Sequence, residues 1–167
     1  MLKPVKRQES TGAAALGRFV IIASEYNASY VDAMLRAARL ELKRAGVRQI
    51  ETIRVPGAYE IPLMAARRAR TGSPLLQNNP QRVAALICLG VILRGETVHA
   101  AHIGEAVSRA LMEIQIRHEV PVIHEVLLLE NVAQARVRCL GRKHNRGAEA
   151  AQSALAMARL LRSRPRG

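Results

Sequence analysis

Short apolar runs alternate with segments of helical periodicity along the chain. "RFVIIA" (18–23) reads as a buried strand, and "SYVDAMLRAARLELKRAG" (29–46) brings Val31, Met34, Leu35, Ala38 and Leu42 round to one helical face. Gly46 ends that helix, because glycine takes the left-handed conformation that closes a helix without steric cost. "QIETIRV" (49–55) alternates apolar and polar positions and predicts a second strand, after which "VPGAYEIP" turns the chain into a helix over 59–70. Glycine, proline and asparagine in "TGSPLLQNNPQR" (71–82) predict a loop. "VAALICLGVI" (83–92) is apolar without a break, the mark of a strand covered on both faces. A helix over 101–118 carries Ile103, Val107, Ala110, Leu111 and Ile114, and "VPVIHEVLLL" (120–129) supplies a fourth strand. A short helix near 130–140 precedes "GRKHNRG" (141–147), and a last helix places Ala151, Ala154, Leu155 and Ala158 together.

Strands separated by helices require right-handed crossovers, so this order predicts a three-layer α/β sandwich: a four-stranded parallel sheet flanked by helices. Ligands of such sheets bind beyond the strand C-termini. The unusual turns "SEYN", "VPGAYE", "LRGETVH" and "HEVLLLEN" are all expected at that edge. In "LRGETVHAAHIGEA" (93–106) a strand meets a glycine turn and then a helix start, where backbone N–H groups and the helix dipole both favour an anion. The length of 167 residues suits one domain, here 18–162, with a flexible arm over 1–17 and a basic tail over 163–167.

Composition narrows the function. Aromatic residues make up 2% with no Trp, so the core is aliphatic. No apolar window reaches the ~18 residues of a membrane helix, and the N-terminus lacks the apolar stretch of a signal peptide. Cys88 and Cys139 form neither a disulfide framework nor a zinc spacing, so the reducing cytoplasm is the expected compartment. The net charge of +13 favours an anionic partner. With one Phe and three Tyr, however, the chain offers no stacking platform for single-stranded nucleic acid. Zinc-finger and RNA-recognition motifs are also absent, so the charge reads as a solvated basic surface. His102, His118 and His144 are assigned to the surface or to local hydrogen bonds, because no pair has metal-ligand spacing with carboxylates.

Several residues carry both a chemical and an ordinary reading. His99 is a candidate proton carrier or simply a histidine at a helix start, and Tyr26 a ligand platform or a packed aromatic. Glu60 is a ligand contact or an acid placed to favour a helix dipole. Arg138 and Arg146 are anion contacts or members of the charged group Arg136, Arg142 and Lys143.

Taken in order, "SEYN", "VPGAYEIP", "LGVILRGETVH", "VPVI" and "GRKHNRG" resemble the signature series of the lumazine synthase family over about 18–162. The resemblance implies a flavodoxin-like sheet and the synthesis of 6,7-dimethyl-8-ribityllumazine, without metal or organic cofactor. Its substrates would be 5-amino-6-(D-ribitylamino)uracil and 3,4-dihydroxy-2-butanone 4-phosphate. It also implies a homopentamer or a multiple of pentamers, with sites between subunits. By the same resemblance His99 shuttles protons, and Gly95, Glu96, Thr97 and Arg138 bind phosphate. Tyr26, Asn27, Ala58, Tyr59, Glu60, Val91, Ile92, Leu93, His124 and Arg146 would hold the pyrimidine and its ribityl chain. His99 and Tyr26 would come from one subunit, and His124, Arg138 and Arg146 from its neighbour.

The N-terminal arm lacks the strand pattern by which many family members reach onto a neighbour's sheet, and the chain departs from the family's pattern in three further places. Ala100, Ala101, Glu105 and Ala106 stand where aromatic, acidic and Asn-Glu positions are common; His124 and Glu125 replace an aromatic and a small residue; and Arg146 replaces a lysine. Two alternatives follow: a paralogue that binds a pterin- or flavin-like ligand without turnover, and a non-enzymatic basic oligomeric scaffold.

Overall fold

Each apolar run is followed by a helix long enough to carry the chain back to the same end of the sheet, so the strands pair in parallel. The computed structural model describes residues 13, 16–73, 82–141 and 144–162. β1 (Arg18–Ser24), β2 (Gln49–Val55), β3 (Val83–Leu93) and β4 (Val122–Leu129) form one parallel sheet in the order β2-β1-β3-β4. α1 (Ala28–Arg44) links β1 to β2, and a 3-10 turn (Ala58–Glu60) followed by α2 (Ile61–Gly72) leads on towards β3. α3 (His99–His118) links β3 to β4. After β4 come α4 (Val132–Ala135), which runs into a π-helical turn (Arg136–Leu140), and α5 (Arg146–Arg162).

The sheet separates two apolar layers because successive strand side chains point to opposite faces. Phe19, Ile21, Ile87 and Leu89 pack with Met34, Leu42, Ala151 and Leu155 of α1 and α5. Val20, Ile22, Leu86 and Cys88 pack with Ile61 and Ala65 of α2 and with Val107 and Leu111 of α3. β3 is buried along all but its last residue, which explains its unbroken apolar sequence. α5 lies so close to α1 that a Cβ on Gly147 would fall 2.0 Å from the Met34 carbonyl oxygen.

The periodicity finds every strand and long helix among the described residues but misplaces several ends. β1 extends to Ser24, β3 to Leu93, and α3 begins at His99 instead of 101. The helix expected from 59 starts as the 3-10 turn and becomes α-helical at Ile61, next to Pro62, whose ring suits the first turn of a helix. In "HEVLLLEN" only Glu130 and Asn131 lie beyond the strand, so three loops and not four carry the unusual turns. The expected loop over 71–82 begins after two residues that are still helical, and 74–81 lie outside the described residues. So do most of the arm over 1–17 and the tail over 163–167, although Ala13 is buried and Leu16 packs against the α1–α5 layer. Among the described residues no helix is long and apolar enough to cross a membrane.

β1 pairs with β2 on one side and with β3 on the other, so the chain reverses its direction across the sheet at β1. The loops after β1 and β3 therefore leave in opposite directions and open a crevice between them, the usual ligand position in doubly wound sheets.

Candidate active site

The loop after β1 is held at both ends. The Glu25 amide donates to the Val55 carbonyl (2.8 Å) and the Tyr26 amide to that of Pro56 (3.1 Å), which carries the β1–β2 pairing past the strand ends. Asn27 sits in the left-handed region at φ 57, which asparagine tolerates better than most residues, and its carbonyl accepts the first α1 amides. Its side-chain Nδ2 donates to the Val91 carbonyl at 2.8 Å, tying the first loop to the central strand. Tyr26 is left standing at the mouth of the crevice, 72% exposed.

The loop after β2 supplies the second wall. A Cβ on Gly57 would lie 2.9 Å from Glu60 Oε2, so glycine there lets the Glu60 carboxylate fold back over its own turn. Tyr59 on that turn is exposed, and Ala58 is buried beneath it.

The loop after β3 supplies the third wall. The Arg94 amide donates to the Leu129 carbonyl at 2.8 Å, and its side chain pairs with Glu130 at 3.0 Å. Gly95, Glu96, Thr97 and Val98 follow, all exposed, and α3 begins with no side chain capping it. The Ala101 amide donates to the Val98 carbonyl at 3.0 Å, which leaves the amides of His99 and Ala100 available to an anion. Gly95 is expected as a turn glycine, but its φ is not positive and a Cβ there would meet nothing within 4 Å. Neither backbone conformation nor packing within the chain requires glycine at that position.

These walls enclose a cleft of about 910 Å³. It gathers Tyr26 and Asn27 from the first loop, Ala58, Tyr59 and Glu60 from the second, and Val91, Ile92, Leu93, Gly95, Thr97 and His99 from the third strand and its loop. Glu96 sits on the same loop without lining the cleft. Gly57, Ala100, His102, Ile103 and Ala106 also line it and were missed by the motif reading. The signal for the last three was available: they follow His99 at three, four and seven positions, one face of a helix. His102 is exposed as expected, but on the cleft side. No arginine or lysine lines the cleft among the described residues, although Lys and Arg total 26 in the chain.

His124, Arg138 and Arg146 lie outside the cleft, on edge strand β4, the π-helical turn and α5. His124 Nδ1 accepts the Val126 amide (3.2 Å), and Nε2 lies 2.8 Å from Ser108 Oγ. The Ser108 hydroxyl in turn donates to the Gly104 carbonyl at 2.7 Å. Nε2 is then the protonated nitrogen, and burial lowers the histidine's pKa, so the neutral ring is favoured.

Glu125 points to the other face of β4. Arg146 Nε donates to Glu125 Oε2 at 3.0 Å, and Arg146 Nη1 donates to Glu149 Oε2 at 2.7 Å. Burial pushes the Glu125 carboxyl up to about 7, further than Arg146 and Arg138 pull it down. Burial also works against the Arg146 charge, but the two carboxylates outweigh it and raise its pKa. The Asn145 side-chain oxygen accepts the Gly147 amide (2.9 Å) and its Nδ2 donates to the Cys139 carbonyl (2.5 Å), which fixes the start of α5 beside the π-helical turn. Among the described residues no cluster of His, Cys, Asp and Glu could hold a metal. Cys88 and Cys139 are free and buried, and burial pushes their thiols up to about 12 and about 11, which keeps them protonated and unreactive.

The model of one family, 6,7-dimethyl-8-ribityllumazine synthase, matches residues 17–162. A protein of that name from Xanthomonas campestris pv. campestris (strain B100) is 39% identical over 150 residues, covering 89% of this chain and 92% of its own. Another from Stenotrophomonas maltophilia (strain K279a) is 39% identical, covering 89% of this chain and 91% of its own. A third, from Xanthomonas euvesicatoria pv. vesicatoria (strain 85-10), is 38% identical over the same share of this chain.

Proposed function

The chain belongs to the 6,7-dimethyl-8-ribityllumazine synthase family, and from that membership we propose its reaction and the residues that carry it. It is a transferase of riboflavin biosynthesis. It condenses 5-amino-6-(D-ribitylamino)uracil with 3,4-dihydroxy-2-butanone 4-phosphate to give 6,7-dimethyl-8-ribityllumazine, phosphate and water. The substrate's own amine attacks the ketone, so no lysine nucleophile is needed. The imine loses phosphate, and ring closure expels a second water.

The observation that carries this reading is the cleft at the switch point between β1 and β3, where three motif loops converge on His99. Tyr26 stacks on the pyrimidine, Glu60 hydrogen-bonds the ribityl chain, and Asn27, Ala58, Tyr59, Val91, Ile92 and Leu93 shape the pocket. His99 moves protons between the reacting nitrogen, carbonyl and leaving groups, which suits an imidazole. Gly95, Glu96 and Thr97 hold the phosphate at the open start of α3, and a glycine whose Cβ would meet nothing leaves room for it.

A dianionic phosphate also calls for a cation, and none lines the cleft among the described residues. By the family resemblance Arg138, with Arg146 and His124, reaches the site from a neighbouring subunit, in a homopentamer or a multiple of pentamers, and a cleft without its own arginine or lysine among the described residues supports this. The compartment is the cytoplasm. Residues 18–162 form the catalytic domain, and the positive charge is solvated surface.

Incubating the protein with both substrates and following lumazine fluorescence against phosphate release tests the reaction. One product per phosphate is expected. Tight pyrimidine binding without product would make the protein a ligand-binding paralogue instead. Within an active enzyme, Arg138→Ala is expected to raise KM for the phosphorylated butanone about 10- to 100-fold, the value of one or two charge-assisted hydrogen bonds. The pyrimidine KM should stay within about twofold, and inorganic phosphate should compete with the butanone. An equal rise in both KM values would remove Arg138 from the phosphate site.

A further inference from the structure

The Glu125–Arg146–Glu149 triad is costly to build. Glu125 has a side chain 9% exposed, Glu149 14% and Arg146 26%, so three charged groups lose much of their water to make two hydrogen bonds. Removing charges from water is repaid only by close pairing, and apolar replacements of such groups are often as stable. What the arrangement does provide is orientation. Glu125 takes the Nε–H and Glu149 takes one Nη1–H, so two different nitrogens of one planar guanidinium are pinned. Of the five guanidinium N–H groups, one on Nη1 and two on Nη2 keep no partner among the described residues, a donor end suited to carbonyl oxygen.

We propose that Glu125 is a positioning residue: it acts through Arg146, holding the guanidinium so that its free edge meets a carbonyl oxygen of the pyrimidine substrate. The inference rests on the reaction given under Proposed function, and it adds a residue that touches no substrate. The charged and titratable groups facing Glu125 are Arg146 and Glu149 from α5, and Arg138 and Cys139 from the π-helical turn. His124, its neighbour on β4, is engaged with Ser108 of α3.

Orientation by Glu125 depends on its charge, and burial pushes that carboxyl up to about 7. The clamp is therefore complete above about 7 and loosens below it. Stability runs the other way. A carboxyl whose folded value is raised stabilises the fold below the ordinary carboxylate range, and that contribution is lost as pH rises through about 7. Glu125→Gln, which keeps the shape and an acceptor oxygen but never ionises, should thus unfold no sooner than wild type at pH 8. A merely structural ion pair would give the opposite result.

The test is steady-state kinetics from pH 6 to 8.5 on full-length wild type, Glu125→Gln, Glu125→Asp, Arg146→Ala and the Arg146→Ala, Glu125→Gln double variant. In wild type the pyrimidine KM should rise as pH falls through about 7. In Glu125→Gln it should be raised about fivefold to tenfold at pH 8 and stay flat with pH, with kcat and the butanone KM within about twofold. Glu125→Asp should recover part of the pH dependence. In the Arg146→Ala background Glu125→Gln should add nothing, because its effect passes through Arg146. A wild-type pyrimidine KM in Glu125→Gln at pH 8, or effects of the two substitutions that multiply, would overturn the proposal. So would marked thermal destabilisation of Glu125→Gln at pH 8. If wild type makes no lumazine, the assigned reaction itself fails, and this inference with it. If wild type is active and Glu125→Gln is indistinguishable from it, only the role of Glu125 fails.

Discussion

If the subunits form the proposed rings, rings reassembled from equal amounts of His99→Ala and Arg138→Ala subunits are expected to recover about a quarter of wild-type activity, although each variant alone should be crippled. His99→Ala should lose kcat by about 10- to 1,000-fold, the range of general acid–base catalysis, and the lower end is favoured because imine formation also proceeds without a protein catalyst. Arg138→Ala should fail through weak binding of the phosphorylated substrate. The cleft contains His99 and lacks any lysine or arginine among the described residues. Arg138 stands on the π-helical turn after α4, outside that cleft. If a closed ring joins the face carrying one group to the face carrying the other, every interface repeats the same heterologous contact. Random mixing then pairs an intact His99 half with an intact Arg138 half at about one interface in four. Native mass spectrometry must first show that subunits have exchanged. Confirmed mixed rings no more active than the separate variants would place both groups in one chain's site and remove the interface reading.

The largest expected effect on stability comes from a single methyl group. Gly147→Ala should destabilise the protein by about 3 kcal/mol or more, because the overpacking here is against backbone and cannot be relieved by a rotamer change. The added Cβ would lie 2.0 Å from the Met34 carbonyl oxygen and 2.5 Å from the carbonyl carbon. Relief requires α5 to move away from α1, which would open the layer where Ala150, Ala151 and Ala154 pack with Met34 and Ala38. The same displacement would carry Arg146 away from Glu125. Gly95→Ala is the matched control: its Cβ meets nothing within 4 Å, so its stability should stay within about 0.5 kcal/mol of wild type. Its KM for the phosphorylated butanone should nevertheless rise if the phosphate sits at this turn as proposed, since the methyl would intrude there. Urea unfolding of the two variants checks both halves, and a Gly147→Ala protein as stable as wild type would contradict the packing argument.

The sequence by itself determined the elements and their kind. A strand buries side chains with period two and a helix with period near 3.6, and both depend on residues only a few positions apart. Val31, Met34, Ala38 and Leu42 could therefore be assigned to one buried face before any partner was known, and β3 could be identified as central by its unbroken apolarity. Parallel pairing then put the loops bearing Tyr26, Tyr59 and His99 at one edge, since every strand ends there. The motif order also identified the family, because "VPGAYEIP" and "LGVILRGETVH" are local patterns.

Tertiary structure decided what those loops meet. The order β2-β1-β3-β4 sets the switch point, and periodicity carries no information about which strand lies beside which. Asn27 reaches Val91 across 64 residues, and Arg146 reaches Glu125 across 21. Helical facing brings His102 and Ala106 into the cleft only once the direction of α3 relative to the sheet is known. Gly147 likewise reads as an ordinary helix-start glycine until Met34 is found against it. Hydrogen-bonding partners, burial of charge and backbone contact between distant segments arise from the packing of layers against one another. No local pattern encodes that packing, so the charge state of Glu125 and the absence of arginine and lysine from the cleft among the described residues emerge only in the folded chain.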